Sequence, residues 1–197
     1  MFGFVRAVHG SALYEEVLKL RYRVYVDQCG FESPEDHKNG METDEFDDYS
    51  VHFVAVHSET KKPVGTVRII LKSHLGFPIE KHFKFYEGTP EIAHECLAEI
   101  SRIAVDNVVA KELGINRKDR FDLVIGLIEI LTKALSLIGV THVYAVMENV
   151  LAVSLKSKGI VFTKIGEEVD YHGVRAPYFG RILDVVNNNE RLLKAYC

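Results

Sequence analysis

The chain of 197 residues is 47% hydrophobic and 26% charged, a composition typical of a globular protein, and we expect a single domain over residues 1–197. Its formal net charge of −4 gives no overall attraction to nucleic acid or to an anionic membrane. Three cysteines without paired spacing and nine histidines without ligand spacing argue against a disulfide scaffold and against a metal site. Because neither a signal peptide nor a membrane-spanning apolar stretch is recognisable, we expect a cytoplasmic protein without a transmembrane segment.

The first predicted element is an amphipathic helix that starts at its N-cap Ser11 and ends near Gly30. Its apolar residues recur at helical spacing: Leu13, Val17, Leu20 and Val24. Residues 31–49 are polar and irregular, and loops of this length in compact domains are usually functional or disordered. Strands are predicted at residues 51–56 and 64–71, with a hairpin between them.

The second half of the chain alternates strands and helices. The predicted strands are 98–105, 140–147, 160–165 and 176–183; the predicted helices are a segment ending at Gly114, one from an Asp119 cap to Gly139, and 148–158. Residues 72–97 give no clear pattern, although Pro78 is expected to lead into a helix. This order predicts a mixed α/β domain with one central sheet.

Charged residues interrupt two of these apolar strands. Arg68 lies among Val and Ile in one strand, and Glu99 and Arg102 lie in another. An ionised group removed from water is costly unless it is paired, so these side chains need counter-charges. The segment 40–48 packs five acids into nine positions, and we expect Asp44 and Asp47 to supply those charges in a polar cleft on the sheet.

Four blocks in order resemble a known family. They are Leu20-Arg21-Tyr22-Arg23-Val24-Tyr25-Val26, Gly40-Met41-Glu42-Thr43-Asp44-Glu45-Phe46-Asp47, Val64-Gly65-Thr66-Val67-Arg68 and Glu99-Ile100-Ser101-Arg102. Together they resemble the acyl-homoserine-lactone synthases and their relatives, the N-acyl amino acid synthases and the exosortase-associated acyltransferases. The resemblance spans roughly residues 15–165. It implies an acyltransferase with the GCN5-related N-acyltransferase (GNAT) fold, in which helices flank one mixed, mostly antiparallel twisted sheet.

The resemblance also assigns residues to the substrate site. The substrate-binding set that it implies is Arg21, Tyr25, Phe31, Asp44, Asp47 and Arg68, with Glu99, Ser101 and Arg102 as the catalytic set. Tyr25 and Phe31 stand where the lactone synthases typically have Phe and Trp. The missing Trp weakens the case for S-adenosylmethionine as the acceptor. The segments Tyr22-Arg23-Val24-Tyr25 and His52-Phe53-Val54-Ala55 more closely resemble the exosortase-associated and N-acyl amino acid branches.

The chemistry that this set implies is attack of an amine on an acyl thioester. A carboxylate must take a proton from the amine, and Glu99 is the candidate base. Backbone N–H groups at a strand bulge would stabilise the oxyanion, so no nucleophilic Cys or Ser is needed. Strict alternation would put Glu99 and Arg102 on opposite faces, so we predict a bulge near residues 100–102 that lets both charges serve one cleft.

The expected donor is an acyl-phosphopantetheine thioester on an acyl carrier protein, with no permanently bound cofactor. Enzymes of this superfold that use coenzyme A commonly carry a glycine-rich loop after the bulged strand, and residues 106–114 lack that glycine pair, so acyl-coenzyme A is a less favoured donor. Basic residues that could meet the acidic carrier are Lys111, Arg117, Lys118 and Arg120, with Lys156 and Lys158 as a second patch. The expected acyl-tail pocket consists of Tyr144, Val146, Met147 and Leu151.

Several alternatives remain open at this point. Arg68, Glu99 and Arg102 could form a structural ion-pair network, and Asp44 and Asp47 could orient arginines without touching substrate. The basic patch could be a solvated loop, and the tail residues could be ordinary core. The alternative functions are an acyl-homoserine-lactone synthase using S-adenosylmethionine, a coenzyme A-dependent N-acetyltransferase, and a domain that binds carrier or lipid without turnover.

Overall fold

A computed structural model describes residues 2–196, which form two compact units. The first unit runs to Ile69 and resumes from Arg102 to Leu131; the second comprises Ile70–Ser101 and the chain from Thr132 onwards. Two elements cross the boundary between the units, one strand and one long helix. The expectation of a single domain stays a prediction.

The strands are β1 (Phe2–Ala7), β2 (Ser50–His57), β3 (Pro63–Ile70), β4 (Leu97–Val105), β5 (His142–Met147), β6 (Thr163–Lys164), β7 (Val169–Asp170) and β8 (Val174–Arg181). The α-helices are α1 (Ala12–Tyr22), α2 (Pro78–His82), α3 (Asn107–Glu112), α4 (Arg117–Leu137), α5 (Asn149–Lys156), α6 (Ile182–Val186) and α7 (Glu190–Tyr196). A π-helix (Arg23–Gln28) continues α1, and short 3₁₀ turns occupy Pro34–His37, Asp47–Tyr49 and His94–Cys96. No helix within residues 2–196 is long and apolar enough to cross a membrane.

The strands form a mixed, mostly antiparallel sheet of eight strands flanked by helices, as expected for the GNAT fold. In the first unit the order is β1-β2-β3-β4, with β1 antiparallel to β2. In the second unit, β4 pairs in parallel with β5 over Leu97 to Ile100, β5 pairs antiparallel with β8, and β8 also pairs antiparallel with β6 and β7. The predicted fold class is therefore confirmed.

The predicted distortion of β4 is confirmed at Arg102. This residue has φ +49°, in the left-handed region that L-residues other than Gly rarely adopt. The parallel ladder with β5 covers only Leu97 to Ile100, just before it. A left-handed residue inside a strand is typical of a β-bulge and turns the following side chains away from strict alternation.

Most predicted elements agree with the structure, and the differences have local causes. Ser11 does cap α1, since its hydroxyl accepts from the Tyr14 backbone N–H at 3.2 Å. The prediction that Asp119 caps the next helix was wrong: α4 begins at Arg117, and Asn116 Oδ1 accepts from the Asp119 N–H at 3.0 Å. The strand predicted at 160–165 is reduced to β6, while Pro78 does begin a helix, α2. Sequence patterns missed β1, α6 and α7.

Candidate active site

The acidic segment 40–48 folds into a tight loop that directs the carboxylates of Glu42, Asp44 and Asp47 inward and leaves those of Glu45 and Asp48 exposed. The Glu42 backbone N–H donates to Leu18 O in α1 at 3.1 Å, which fixes the segment against that helix. Within the loop, the Asp44 N–H donates to Asp47 Oδ2 at 3.0 Å and the Phe46 N–H donates to Asp44 Oδ1 at 2.9 Å. These short-range bonds are typical of Asp in turns and hold the two carboxylates at one end of the loop.

Two buried arginines meet this loop. Arg21 lies on the same helical face as Val17 and is fully buried; its Nε lies 2.5 Å from Glu42 Oε2 and its Nη1 lies 2.7 Å from Asp47 Oδ1. Arg68, on β3, is also buried, and its Nη1 lies 2.7 Å from Asp47 Oδ1 and 2.5 Å from Asp44 Oδ1. Asp47 thus bridges both guanidinium groups, which answers the demand for counter-charges raised by the sequence.

Arg102, where β4 is distorted, adds a third guanidinium. Its Nη2 donates to Glu42 Oε1 at 2.9 Å, and its Nε lies 3.2 Å from both oxygens of that carboxylate. The same Nη2 lies 3.3 Å from Asp44 Oδ2 and 3.4 Å from Glu32 Oε1. The guanidinium carbon is 5.2 Å from the Tyr25 ring centroid, within the range of a cation–π contact. We call the seven charged residues Arg21, Glu32, Glu42, Asp44, Asp47, Arg68 and Arg102 the charged cluster.

The π-helix positions two members of this site. Its geometry allows the Tyr25 carbonyl to accept from the backbone N–H groups of both Phe31 (2.8 Å) and Glu32 (3.2 Å), which folds the loop back beside Tyr25. The Tyr25 hydroxyl donates to Ile103 O on β4 at 3.3 Å. π-Helical turns are rare and frequently occur at functional sites. Here the turn brings Tyr25 and Glu32 to the same guanidinium, that of Arg102.

Opposite charges at close range keep Glu42, Asp47 and Arg102 ionised. Burial alone would raise the pKa of Glu42, but the guanidinium groups of Arg21 and Arg102 overcome burial and lower that pKa to about 2. The pKa of Asp47 is lowered in the same way by Arg21 and Arg68, against the effect of burial. Burial opposes the charged form of Arg102, yet the Glu42 carboxylate raises the pKa of that guanidinium. The site is therefore a fixed array of charges at neutral pH.

His52 is a buried neutral member of the same region. It is 2% exposed, its ring packs edge-on against Tyr14 at 5.0 Å, and its Nε2 lies 3.7 Å from Asp47 Oδ1. Burial, and then the charge of Arg21, lower the pKa of His52 to about 4. Neither ring nitrogen has a hydrogen-bond partner among residues 2–196, so the imidazole is held by packing.

The charged cluster is sealed at one end and open at the other. The side chains of Arg21, Glu42, Asp47 and Arg68 are at most 6% exposed. In contrast, the side chains of Arg102 (18%), Glu32 (20%) and Asp44 (25%) reach solvent. A ligand can therefore reach the cluster at the Arg102 end, while the sealed arginines hold the acidic loop in place.

Glu99, the candidate base, belongs to the second unit. It is 3% exposed, and its Oε2 accepts the backbone N–H of Ile79, in the first turn of α2, at 3.0 Å. Ser101, from the same predicted catalytic set, is half-buried on β4. The catalytic roles of Glu99, Ser101 and Arg102 remain predictions.

The start of α3, directly after β4, is filled by the protein's own side chains. Asp106 is fully buried, and its Oδ1 accepts from the N–H groups of Val108 and Val109, each at 3.1 Å. Arg23 Nε at 2.7 Å and Gln28 Nε2 at 2.9 Å also donate to this carboxylate. Gln28 Oε1 accepts the Asn107 N–H at 3.2 Å. The N–H groups that begin this helix are thus already satisfied within the chain.

The predicted tail residues lie in the second unit, in and beside an aromatic cluster. Tyr144 is 4% exposed, and its ring centroid lies 5.4 Å from that of Phe85, 5.7 Å from that of Phe179 and 6.1 Å from that of Phe77. Burial, and then Glu80 and Glu99, raise the pKa of the Tyr144 hydroxyl to about 12. Nearby along the chain, Met147 is buried, and Val146 and Leu151 are half-buried. This apolar environment fits either an acyl tail or ordinary core.

The predicted basic patch is at the surface of the first unit. Lys111, Arg117 and Lys118 are exposed, whereas Arg120 is half-buried and its Nη1 donates to Asn107 Oδ1 at 2.8 Å. Three of its four cations are therefore directed to solvent. Carrier binding by this patch stays a prediction.

The structure brings together five of the site residues named from the sequence: Arg21, Asp44, Asp47, Arg68 and Arg102. Tyr25 joins them through its ring, and Phe31 lies next to Glu32 in the folded-back loop. Sequence reasoning did not single out Glu42, Glu32 or Asp106. Glu42 was visible as one of the five acids of segment 40–48, but nothing in that run distinguished it from its exposed neighbour Glu45.

Comparisons with known proteins agree with this architecture. Residues 20–117 match the family model described as an acetyltransferase (GNAT) domain. Among solved structures, TofI in complex with an inhibitor and MTA aligns with TM-score 0.70 and 18% identity over 98% of this chain and 99% of that one. A sequence search of curated proteins gives no match.

Two further solved structures have the same fold. BjaI, a CoA-dependent acyl-homoserine lactone synthase solved with SAM and isopentyl-CoA, aligns with TM-score 0.68 and 20% identity over 98% of this chain and 89% of its own. FeeM, an N-acyl amino acid synthase from uncultured soil microbes, aligns with TM-score 0.68 and 13% identity over 96% of this chain and 95% of its own. The chain is therefore an acyltransferase of the GNAT superfold, and it shares that fold with acyl-homoserine-lactone and N-acyl amino acid synthases.

Proposed function

We propose that the chain transfers a fatty acyl group from the thioester of an acyl carrier protein to the amine of a small amino-acid-like acceptor. The observation that supports this proposal most directly is the charged cluster, which is sealed by Arg21 and Arg68 and open at Arg102. A purely structural ion-pair network needs no open end. Partly exposed charges of both signs at one edge suit a small polar substrate.

The proposed reaction is a single acyl transfer. Glu99 takes a proton from the acceptor ammonium, the free amine attacks the thioester carbonyl carbon, and a C–N bond forms as the C–S bond breaks. The attacking nitrogen gives up its second proton as the phosphopantetheine thiolate leaves, and that proton neutralises the thiolate. Glu99 returns its own proton to solvent, so the products are an N-acyl amide and a free thiol. Backbone N–H groups at the distorted part of β4 are the proposed donors to the oxyanion.

The start of α3 supports a carrier protein over coenzyme A as the donor. In the superfold that the chain resembles, the pyrophosphate of coenzyme A meets backbone N–H groups at this helix. Here Asp106 and Gln28 already accept the first three N–H groups, and the Asp106 carboxylate adds a negative charge at that place. A phosphopantetheine arm on a carrier has no pyrophosphate, so this arrangement does not hinder it.

The test combines a cellular assay and a purified assay. Lipids extracted from cells that express the chain should contain an N-acyl compound, whose mass identifies the acyl length and the acceptor together. With that acceptor, the purified protein should show a kcat/KM for the acyl carrier protein thioester at least about tenfold above its kcat/KM for acyl-coenzyme A. Glu99→Gln should abolish the product, whereas Glu95→Gln, which changes an exposed acid on the same unit, should not. Absence of any N-acyl product from the unmutated protein would favour a non-catalytic binder.

A second candidate is an acyl-homoserine-lactone synthase. It is favoured by the structural likeness to TofI and BjaI, whose solved complexes contain MTA and SAM respectively. The same extraction distinguishes the two candidates, because a lactone product requires S-adenosylmethionine and leaves methylthioadenosine. Use of acyl-coenzyme A by the purified protein would change the donor assignment without changing the reaction class.

A further inference from the structure

The strand β1 leaves one edge of the sheet open. It stands first in the sheet order and pairs with β2 along its whole length, so within residues 2–196 no strand lies on its outer side. Two apolar side chains are exposed at or just after this strand, Val5 at 39% and Val8 at 57%. An open edge strand is a template for pairing with another chain. A partner strand is therefore the structure that this edge can accept.

A surface cavity lies beside the start of β1. Its volume is about 380 Å³, and its lining includes Phe2, His57, Leu113, Ile115, Asp119 and Asp122. The two acids are three residues apart on α4, so both carboxylates lie on the same side of that helix. Asp122 makes no hydrogen bond or ion pair within residues 2–196, and the neighbouring cations Arg117 and Lys118 pair with neither acid there. The cavity therefore presents negative charge without a cationic partner.

Arg6 is a cation on β1 that also lacks a partner. It is exposed and makes no hydrogen bond or ion pair with the part of the chain that the structure describes. Because side chains alternate along a strand, Arg6 shares its face with Phe2 and Phe4. That face is the one next to α4, since the Phe4 ring contacts Gly126 and Phe2 lines the cavity. Arg6 and the two carboxylates are therefore on the same side of the sheet, at opposite ends of β1.

Antiparallel pairing of two copies brings these opposite charges together. A two-fold axis at Phe4 places Arg6 of one copy directly opposite the partner's Phe2. Side chains that are directly opposite lie on the same face, with Cβ atoms about 5 Å apart. Arg6 then reaches the partner's cavity, and the symmetry makes this contact twice. The same register covers the exposed Val5 with the partner strand.

An exposed charge on an edge strand can also serve to prevent pairing. In that role the charge meets an apolar or like-charged surface on the incoming strand. In this register Arg6 instead meets two carboxylates, and a planar guanidinium forms charge-assisted hydrogen bonds with a carboxylate. The charge of Arg6 therefore favours this one register of pairing.

We propose that the chain forms a two-fold dimer through β1, in which Arg6 of each copy enters the partner's cavity and pairs with Asp122 and Asp119. The occupant of the cavity is thus a second copy of this chain. The inference does not depend on the proposed function, because it uses neither the charged cluster nor Glu99.

Sedimentation equilibrium of the full chain tests the dimer. The unmutated protein should sediment at twice the 22.3 kDa mass of one chain, with a Kd of about 10 μM, because strand pairing and two ion pairs form a small interface. Arg6→Glu and Asp122→Arg, both at exposed positions, should each raise that Kd at least about tenfold, since each places like charges opposite each other. Lys38→Glu, an exposed charge change in the loop 31–49, is the control and should leave the Kd unchanged.

Mixing the two variants provides the sharpest result. In a dimer of one Arg6→Glu chain and one Asp122→Arg chain, both contacts again join opposite charges. A one-to-one mixture should therefore dimerise with about the Kd of the unmutated protein, although neither variant does so alone. Should either charge reversal unfold the chain, the neutral changes Arg6→Gln and Asp122→Asn replace the pair, and each should raise the Kd several-fold.

Three results overturn the inference. The first is an unmutated protein that remains a monomer at about 100 μM, ten times the expected Kd. The second is a normal Kd in the single variants, whether charge-reversed or neutral. The third is a mixture of folded charge-reversal variants that stays monomeric. If the protein is a monomer and calorimetry detects binding of agmatine that Asp122→Arg abolishes, the cavity is a site for a small cation and the inference is wrong.

Discussion

Glu42 is the residue on which the charged cluster depends most. It is 1% exposed and contacts both Arg21 and Arg102, so it neutralises two guanidinium groups with one carboxylate. Removing one partner of a buried ion pair leaves the other charge uncompensated, which costs far more than the pair contributes in net terms. The acid that organises the site is therefore a structural residue, whereas Asp44 and Glu32 in the same cluster are partly exposed.

Glu42→Gln should destabilise the protein strongly although it preserves side-chain volume. We expect a loss of about 3 kcal/mol in the free energy of unfolding, because two guanidinium groups lose their shared counter-charge. Urea denaturation at pH 7 measures this loss. Glu45→Gln, on an exposed residue of the same loop, should change the free energy of unfolding by less than about 0.5 kcal/mol. Equal effects of the two changes would contradict the assignment.

Because of His52, the free energy of unfolding should already fall at pH values above those at which carboxylates titrate. Its pKa is about 4 in the folded protein, below the ordinary value of 6.5, so the unfolded chain binds a proton first as the pH falls. The stability that neutral His52 provides is complete above pH 6.5 and is lost between 6.5 and 4, up to about 3 kcal/mol. Denaturation midpoints measured from pH 7.5 to 4.5 should fall less in His52→Gln than in the unmutated protein. The exposed His9→Gln serves as the control.

Sequence reasoning located the charged residues and two of their partners, Asp44 and Asp47, but it missed Glu42 and Glu32. Arg68 and Arg102 were conspicuous because a charge inside an apolar strand requires compensation, and the acidic run 40–48 offered it. Which acid meets which arginine depends on distances that only the folded loop sets, so Glu42 could not be separated from Glu45. Glu32 reaches Arg102 only because the π-helix folds its loop back, and no sequence pattern predicts that turn.

At the scale of elements, three strands in the middle of the chain were predicted well. β2, β3 and β4 agree with the predicted ranges to within one residue at each end, because their runs of Val and Ile are unambiguous. β1 was missed because its sequence, Phe-Gly-Phe-Val-Arg-Ala, is short and half-exposed. The strand predicted at 160–165 is limited to the two residues of β6 at the edge of the sheet. There, apolar content alone does not decide which residues pair with a neighbouring strand.

Gly65 shows why one residue of β3 has no side chain. A Cβ at this position would lie 2.7 Å from Leu123 Cδ2 and 2.9 Å from Ala104 O, closer than ordinary contacts allow. Gly65→Ala should therefore push β3 away from α4 and β4 and destabilise the protein by about 2 kcal/mol. Gly3→Ala on β1 is the matched control, since its Cβ would meet Val56 at an ordinary 3.6 Å. Thermal unfolding of both variants decides: a loss no greater at Gly65 than at Gly3 refutes the packing explanation.

At the scale of the whole molecule, charge is distributed unevenly. The chain carries a formal net charge of −4, so an acidic carrier protein is repelled on average. Lys111, Arg117 and Lys118 nevertheless form an exposed basic group between α3 and the start of α4. A carrier that docks productively must be attracted by this local positive potential although the net negative charge of the chain repels it. Docking should therefore depend on a few basic residues and on ionic strength.

Carrier docking at the basic patch should be detectable through salt. Raising the ionic strength from about 0.05 to 0.5 M shortens the screening length to a few ångströms, so the KM for acyl carrier protein should rise several-fold. The KM for uncharged acyl-pantetheine should stay constant. The triple change Lys111→Glu, Arg117→Glu and Lys118→Glu should raise the carrier KM at least about tenfold at low salt and remove its salt dependence, while kcat with acyl-pantetheine is retained.

Arg120 is left intact in this variant because it donates to Asn107. Lys38→Glu, an exposed change in the loop 31–49, is the control. A triple variant that keeps the carrier KM and its salt response would place the docking surface elsewhere.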